Sequence, residues 1–95
     1  MKITKALMLA QNNIYPIRFG SQWVVTKPWE DVGGPSQHGS PTNYRRAQLD
    51  ARMLRAELAL KLMGFAYGYQ YKAIQDVCDG ADWRDVVRKI VRKKI

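Results

Sequence analysis

The sequence predicts a small α+β domain that contains a short N-terminal helix, a β-hairpin, a long loop, a long central helix and a C-terminal helical pair. Three observations support this fold class. Residues 43–63 contain neither Gly nor Pro and are rich in strong helix formers. Aromatic and β-branched residues flank Gly20-Ser21, as in a hairpin. Apolar residues recur at helical spacing near the C-terminus. At 95 residues, the chain is expected to form one domain over residues 1–95.

The first part of the chain predicts a helix followed by a hairpin. Residues 3–11 have helix-forming composition, and Asn12-Asn13 are natural breakers. The hairpin pairs Ile14 to Phe19 with Gln22 to Lys27, and the glycine at position 20 supplies the positive φ of a tight turn. Because an isolated hairpin is only marginally stable, its apolar face is expected to pack on the long helix.

Residues 30–42 predict an exposed loop. They include three glycines, two prolines and two serines among thirteen residues. Loops of this length are usually either functional or flexible connectors, and the sequence leaves both alternatives open. The Gly34-Pro35 and Ser40-Pro41 peptide bonds of this segment precede prolines, and such bonds can populate the cis form.

The segment after Gly64 begins with alternating aromatic residues. Phe65, Tyr67, Tyr69 and Tyr71 predict either a third strand or an extended connection, and Lys72 to Cys78 predicts a short helix. The last segment, Asp82 to Ile95, predicts an amphipathic helix with Asp82 as its N-cap. Its apolar residues stand at i, i+3, i+4, i+7 and i+8, at Trp83, Val86, Val87, Ile90 and Val91.

The central helix, predicted from Asn43 to Met63, carries two apolar stripes on roughly opposite sides. One contains Ala47, Ala51, Leu54, Leu58 and Leu62, and the other contains Leu49, Met53, Ala56, Leu60 and Met63. A mixed-charge strip (Arg46, Asp50, Glu57, Lys61) and a basic strip (Arg45, Gln48, Arg52, Arg55) separate them. An ordinary surface helix needs one apolar stripe, so the chain is expected to leave the second for a partner.

The charge of the chain favours anionic partners. Sixteen basic and eight acidic residues give a net charge of +8, which suits nucleic acid or an acidic protein surface and excludes a DNA mimic. The single cysteine excludes an internal disulfide, and with no secretion signal the expected compartment is a reducing cytosol. No stretch of the sequence approaches the length of a membrane span.

The sequence contains no recognisable catalytic or metal-binding pattern. His38 is the only histidine and Cys78 the only thiol, and they lie about forty positions apart. Cys78 follows the apolar positions Ile74 and Val77, which predicts a buried structural thiol. We therefore expect neither an enzyme nor a bound metal or cofactor.

Nucleic-acid binding is the main alternative. A helix-turn-helix over residues 73–91 fits poorly, because Asp76 and Asp79 occupy positions that need small or apolar residues. The basic C-terminal helix is the alternative DNA contact, through Arg88, Lys89, Arg92 and Lys93.

Several runs of the sequence resemble a known family. They are Ala6-Leu-Met-Leu-Ala-Gln-Asn-Asn, Tyr15-Pro-Ile-Arg-Phe, Gln22-Trp-Val-Val-Thr, Pro28-Trp, Gly39-Ser-Pro-Thr and Tyr44-Arg-Arg-Ala-Gln. Over residues 6–64 the chain resembles the small anti-RecBCD proteins of lambdoid phages of enteric bacteria. The resemblance implies a non-enzymatic protein of the host cytoplasm that binds the host RecBCD helicase-nuclease, chiefly its RecC subunit. Phage recombination then uses the DNA ends.

The expected contact residues follow from this function. Arg and aromatic residues dominate interface hot spots, which selects Trp29, Tyr44, Arg45, Arg52 and Arg55 as contacts for RecC. The Gly34-Pro35 bond is a candidate contact for a host prolyl isomerase. A weak direct DNA contact remains open, as does a structural protein that forms oligomers through the second apolar stripe.

Overall fold

The α+β fold class is confirmed. A computed structural model of the chain describes residues 1–28 and 35–94. Within them the chain forms four helices and a three-stranded sheet. In chain order these are α1 (Ile3–Asn13), β1 (Pro16–Phe19), β2 (Gln22–Pro28), β3 (Pro35–Thr42), α2 (Tyr44–Leu62), α3 (Tyr67–Cys78) and α4 (Trp83–Lys94).

Helix α2 begins and ends where the local sequence predicts. The side chain of Asn43 accepts a hydrogen bond from the backbone N–H of Arg46 at 2.8 Å, which satisfies one of the free donors of the first turn. At the other end Gly64 has a φ of +85°, which glycine adopts without strain. The N–H of Gly64 donates to Lys61 O and that of Phe65 to Leu60 O, both at 3.0 Å, in the pattern of a Schellman motif.

Both apolar stripes of α2 are covered by the chain itself, so the expectation of a free second stripe is wrong. One side of α2 contributes to the sheet-side cluster, formed by Ile14, Val25, Ala47, Ala51 and Leu54. The other contributes to the helix-side cluster, formed by Ala6, Leu7, Ala10, Ala56, Ala59, Leu60, Ala73, Val77, Trp83, Val86 and Val87. The physical reason is that other elements pack on α2 from both sides: the sheet on one side, and α1, α3 and α4 on the other.

The predicted hairpin is confirmed. Strands β1 and β2 are antiparallel, with Arg18 opposite Trp23, and Gly20 in the turn has a φ of +66°. Thr26 of β2 joins the sheet to the end of α1. Its buried hydroxyl accepts a hydrogen bond from the N–H of Tyr15 at 3.2 Å and lies 3.3 Å from the carbonyl oxygen of Asn13.

The prediction of an exposed loop over residues 30–42 is wrong for its second part. Pro35–Thr42 forms β3, which pairs antiparallel with β2 through Val25 and His38 and through Trp23 and Thr42. The free edge of β2 offers backbone donors and acceptors, and pairing with them outweighs a composition poor in strand formers. A register irregularity lies between Trp23 and Val25, as in a bulge. Residues 30–34 lie outside the described part of the chain.

The prediction of a strand or an extended connection after Phe65 is also wrong beyond residue 66. Helix α3 already begins at Tyr67, five residues before the predicted helix. Its inner side, Gln70, Ala73 and Val77, is buried, so tertiary packing overrides the local preference for extended structure. The Gln70 amide nitrogen donates to Phe65 O at 3.0 Å.

Cys78 is exposed, which contradicts the prediction of a buried thiol. It is the last residue of α3, and its neighbour Val77 occupies the inward position with 1% exposure. A helix turns by about 100° per residue, so two adjacent residues at its end do not share one side. The C-terminal amphipathic helix is confirmed as α4. Asp82 caps it by accepting from the N–H groups of Arg84 at 3.0 Å and Asp85 at 3.2 Å.

Candidate functional site

Two arginines lie against the ring of Trp83 where α2 and α4 approach each other, and a third, Arg52, lies one turn before Arg55 on α2. We call Arg52, Arg55 and Arg84 the arginine cluster. The guanidinium of Arg84 lies 4.7 Å from the ring centroid of Trp83, and that of Arg55 lies 6.0 Å from the same centroid. The ring belongs to the core, since Trp83 is only 2% exposed. Stacking on a buried indole restricts where both cations point.

Hydrogen bonds fix two members of the cluster further. Arg55 Nε donates to the carbonyl oxygen of Ile14 at 2.7 Å, which joins the middle of α2 to the segment after α1. Arg84 donates to the side-chain oxygen of Gln11 on α1. Arg52 lies one turn before Arg55 and is exposed. The cluster therefore combines two positioned guanidinium groups with one that is free to adjust.

The electrostatics of the cluster are unbalanced. Burial lowers the pKa of Arg55, and the positive charges of Arg84 and Arg52 lower that pKa further. In the described part of the chain no carboxylate forms an ion pair with any of the three. Ion pairs occupy Asp50, Asp76 and Asp85, each within its own helix, with Arg46, Lys72 and Arg88.

A shallow groove adjoins the arginine cluster between α1 and α4. Its volume is about 340 Å³, and its lining includes Ile3, Leu7, Met8, Gln11, Arg84 and Arg88. Three of these side chains are apolar, and Met8 is 54% exposed. Arg84 belongs to the arginine cluster and also lines the groove, together with its hydrogen-bond partner Gln11. The apolar lining of the groove is therefore continuous with the cluster.

An aromatic and basic surface lies at the beginning of α2. The rings of Trp23 and Tyr44 are in contact, with centroids 4.5 Å apart, and Tyr44 remains 48% exposed. Arg45 is exposed beside it and has no hydrogen-bond or ion-pair partner among the described residues. We call Trp23, Tyr44 and Arg45 the Tyr44 surface.

The predicted RecC contacts on α2 do not form one patch. Tyr44 and Arg45 lie at the N-terminal end of α2, whereas Arg52 and Arg55 lie about 10 Å or more farther along its axis, at 1.5 Å per residue. Trp29 and Gly34 lie outside the described residues. Pro35 is the first residue of β3.

The predicted DNA contacts on α4 lie beside acidic groups. Arg88 is ion-paired with Asp85 at 3.4 Å. A second groove, between α3 and α4, has a volume of about 810 Å³ and includes Asp76, Asp79, Asp82, Asp85, Lys89 and Lys93 in its lining. Arg92 is exposed in the last turn of the helix. Negative charge thus accompanies the first half of this surface, in contrast to the arginine cluster.

Sequence reasoning missed Arg84 and the contact of Trp83 with two arginines. It identified Trp83 only as an apolar residue of α4, and it did not single out Arg84. No local pattern contains this information, because about thirty residues separate Arg84 from Arg52 and Arg55, and only the packing of α4 on α2 brings them together.

Side chains that could bind a metal ion are dispersed over residues 1–28 and 35–94. Within these ranges no three His, Cys, Asp or Glu side chains are grouped to hold a metal ion. None of the described helices combines the length and the apolar character needed to cross a membrane. In comparisons with protein-family models, curated proteins and solved structures, the chain matches none of them.

Proposed function

We propose that this chain is a non-enzymatic phage protein that binds the RecC subunit of the host RecBCD helicase-nuclease in the host cytoplasm. Binding changes how the enzyme processes DNA ends, so that phage recombination can use them. The proposal depends on the resemblance over residues 6–64 and on one structural observation: the Tyr44 surface presents an aromatic ring and an arginine that the chain itself does not pair.

The Tyr44 surface has the properties of an interface anchor. Tyrosine and arginine are enriched among the residues that carry most of the binding energy. Contact with Trp23 holds the Tyr44 ring in place before binding, so little side-chain entropy is lost. A standard interface buries about 800 Å² of each partner, which is about one eighth of the 6194 Å² of accessible surface here. A patch of that size around Tyr44 is compatible with the dimensions of the molecule.

The apolar stripes of α2 no longer support this proposal, because both are covered. The same finding removes the support for a structural protein that forms oligomers through the second stripe. The prolyl isomerase proposal retains its sequence basis, the Gly34-Pro35 bond immediately before β3.

Binding of the purified chain to purified RecBCD on a biosensor tests the proposal. We expect saturable binding that Tyr44→Ala and Arg45→Ala each weaken about tenfold or more. The matched controls, Tyr67→Ala on α3 and Arg92→Ala on α4, remove the same residue types from exposed positions and are expected to bind like the wild-type chain. Absence of binding to RecBCD, or equal effects of all four variants, would refute the proposal.

The second candidate is a small basic DNA-binding protein that uses Arg88, Lys89, Arg92 and Lys93. The net charge of +8 and the exposure of these side chains on α4 favour it. It requires duplex DNA binding that falls steeply with salt and that decreases when Arg92 and Lys93 are replaced by Gln. Duplex affinity that is unchanged by these replacements would exclude this candidate.

A further inference from the structure

We propose that the arginine cluster and the adjoining groove between α1 and α4 bind one nucleotide of single-stranded DNA, with its phosphate at Arg52, Arg55 and Arg84. This site differs from the Tyr44 surface, and of the four predicted DNA contacts on α4 it includes Arg88 alone, in the lining of the groove. It does not depend on the proposed function, because the isolated chain is expected to show it.

The arginine cluster supplies free hydrogen-bond donors. Arg55 uses Nε for the carbonyl of Ile14, and neither terminal nitrogen has an acceptor among the described residues. Arg84 uses one terminal nitrogen for Gln11 and retains its other donors. Arg52 makes no hydrogen bond in the described part of the chain. A phosphate oxygen accepts several such bonds at once, and arginine provides them in pairs.

The positive charge of the arginine cluster favours an anionic ligand. None of the three cations is ion-paired with a carboxylate of the described residues, and burial and the charges of Arg84 and Arg52 disfavour the charged form of Arg55. The guanidinium nevertheless stays protonated at neutral pH, because arginine is not deprotonated in proteins. A bound anion would relieve this repulsion, whereas a change of pH near neutrality does not.

The arrangement of the guanidinium groups and the neighbouring groove favour a nucleotide over a bare anion or a partner's carboxylate. One planar carboxylate pairs with a single guanidinium through two parallel hydrogen bonds. The cluster instead offers three guanidinium groups from two helices, which is more than one carboxylate can use. The neighbouring groove offers apolar side chains at Ile3, Leu7 and Met8, next to Arg84. Its volume of about 340 Å³ lies within the usual range of small-ligand sites, about 300 to 1,000 Å³. A base that enters it must be unpaired, which favours a single strand.

The experiment is fluorescence anisotropy of a short labelled oligothymidylate with the purified chain at several salt concentrations. We expect Arg52→Gln and Arg84→Gln to weaken binding about tenfold, as for loss of charged hydrogen bonds. We also expect each to reduce the slope of log K against log salt by no more than about 0.7, because the three arginines share one phosphate and one phosphate on a single strand contributes about that much. The matched control, Arg45→Gln, removes the same charge from the same helix and is expected to retain the wild-type slope.

Two further measurements identify what occupies the site. Met8→Glu places a negative charge in the groove at an exposed position and is expected to weaken oligothymidylate binding. An abasic oligonucleotide of equal length, and inorganic phosphate as competitor, are both expected to bind more weakly than oligothymidylate. Equal affinity of the abasic strand would overturn the assignment of the groove, and preference for inorganic phosphate would overturn the assignment to a strand.

Folding of the variants is monitored by thermal unfolding. If Arg84→Gln unfolds, Arg52→Gln still tests the site, because Arg52 makes no hydrogen bond in the described structure. If Arg45→Gln and Arg52→Gln lost equal oligothymidylate affinity, the effect would come from net charge alone, and the site would be refuted. If the cluster variants lost only RecBCD binding and kept oligothymidylate affinity, the cluster would belong to the protein interface. Tyr44→Ala separates the two proposals, because it is expected to affect RecBCD and not the oligonucleotide.

Discussion

Leu60→Ala tests whether the second apolar stripe of α2 belongs to the core or to a docking surface. Leu60 has 0% exposure and packs in the helix-side cluster with residues of α1, α3 and α4. If the stripe were free for a partner, the substitution would cost little stability and would weaken binding. If the chain covers the stripe itself, the substitution leaves a cavity in the middle of the molecule.

The magnitude follows from the atoms removed. Leu→Ala deletes three carbon atoms, and burial of each contributes about 0.8 kcal/mol, or about 2.4 kcal/mol in total. The cavity adds to this, because the surroundings of a deleted core side chain relax only partly into the space. We therefore expect a loss of about 3 to 4 kcal/mol, within the usual range for buried Leu→Ala. At about 4 to 8 °C per kcal/mol, the melting temperature falls by more than about 12 °C.

Urea unfolding followed by circular dichroism measures this loss. The midpoint is expected to fall with an unchanged slope, because the variant exposes the same surface on unfolding. Met8→Ala is the control: it removes a large apolar side chain that is 54% exposed, and it is expected to change stability by less than about 0.5 kcal/mol. A loss below about 1 kcal/mol for Leu60→Ala would refute the packing of the helix-side cluster.

Three further substitutions test local features of the fold and the charge of the arginine cluster. Asn43→Ala removes the cap of α2 and is expected to cost about 1 kcal/mol in urea unfolding, whereas Asn43→Ser retains most of it; equal losses would contradict the cap. Thr26→Val leaves the partly buried N–H of Tyr15 without its side-chain acceptor and is expected to cost about 1 kcal/mol, and Thr26→Ser should recover most of that loss. Arg52→Gln removes a neighbour that lowers the pKa of Arg55, so it is expected to raise the melting temperature at low salt, with a gain that disappears near 1 M salt. A lower melting temperature at low salt would contradict the repulsion.

The parts of the fold that sequence predicts are those determined within a few residues. The cap at Asn43, the glycine at position 64 and the turn at Gly20 act through their own backbone, so α2 and the hairpin occur where expected. The C-terminal helix is predictable for the same reason, since Asp82 and its apolar repeat are adjacent in sequence.

The parts that sequence does not predict depend on distant partners. Strand β3 has a loop-like composition, and it forms because the second edge of β2 pairs with it. Helix α3 begins at Tyr67 because its inner side packs on α2, although the aromatic alternation indicates an extended segment. The two stripes of α2 were identified correctly, but the sequence does not show what covers them. The arginine cluster is the clearest case, because its third member comes from another helix.

The covering of α2 changes which of its sides are available for binding. Two sides of the helix stabilise the domain, so recognition has to use the polar strips between them. The basic strip has the Tyr44 surface at its beginning and the arginine cluster farther along, with Arg45 and Arg52 about 10 Å apart along the axis. Residues at such a distance that share no partner usually contribute independently. Under the two proposals, one helix would hold the protein-binding surface and the nucleotide site about 10 Å apart, so variants in one are expected to leave the other unchanged.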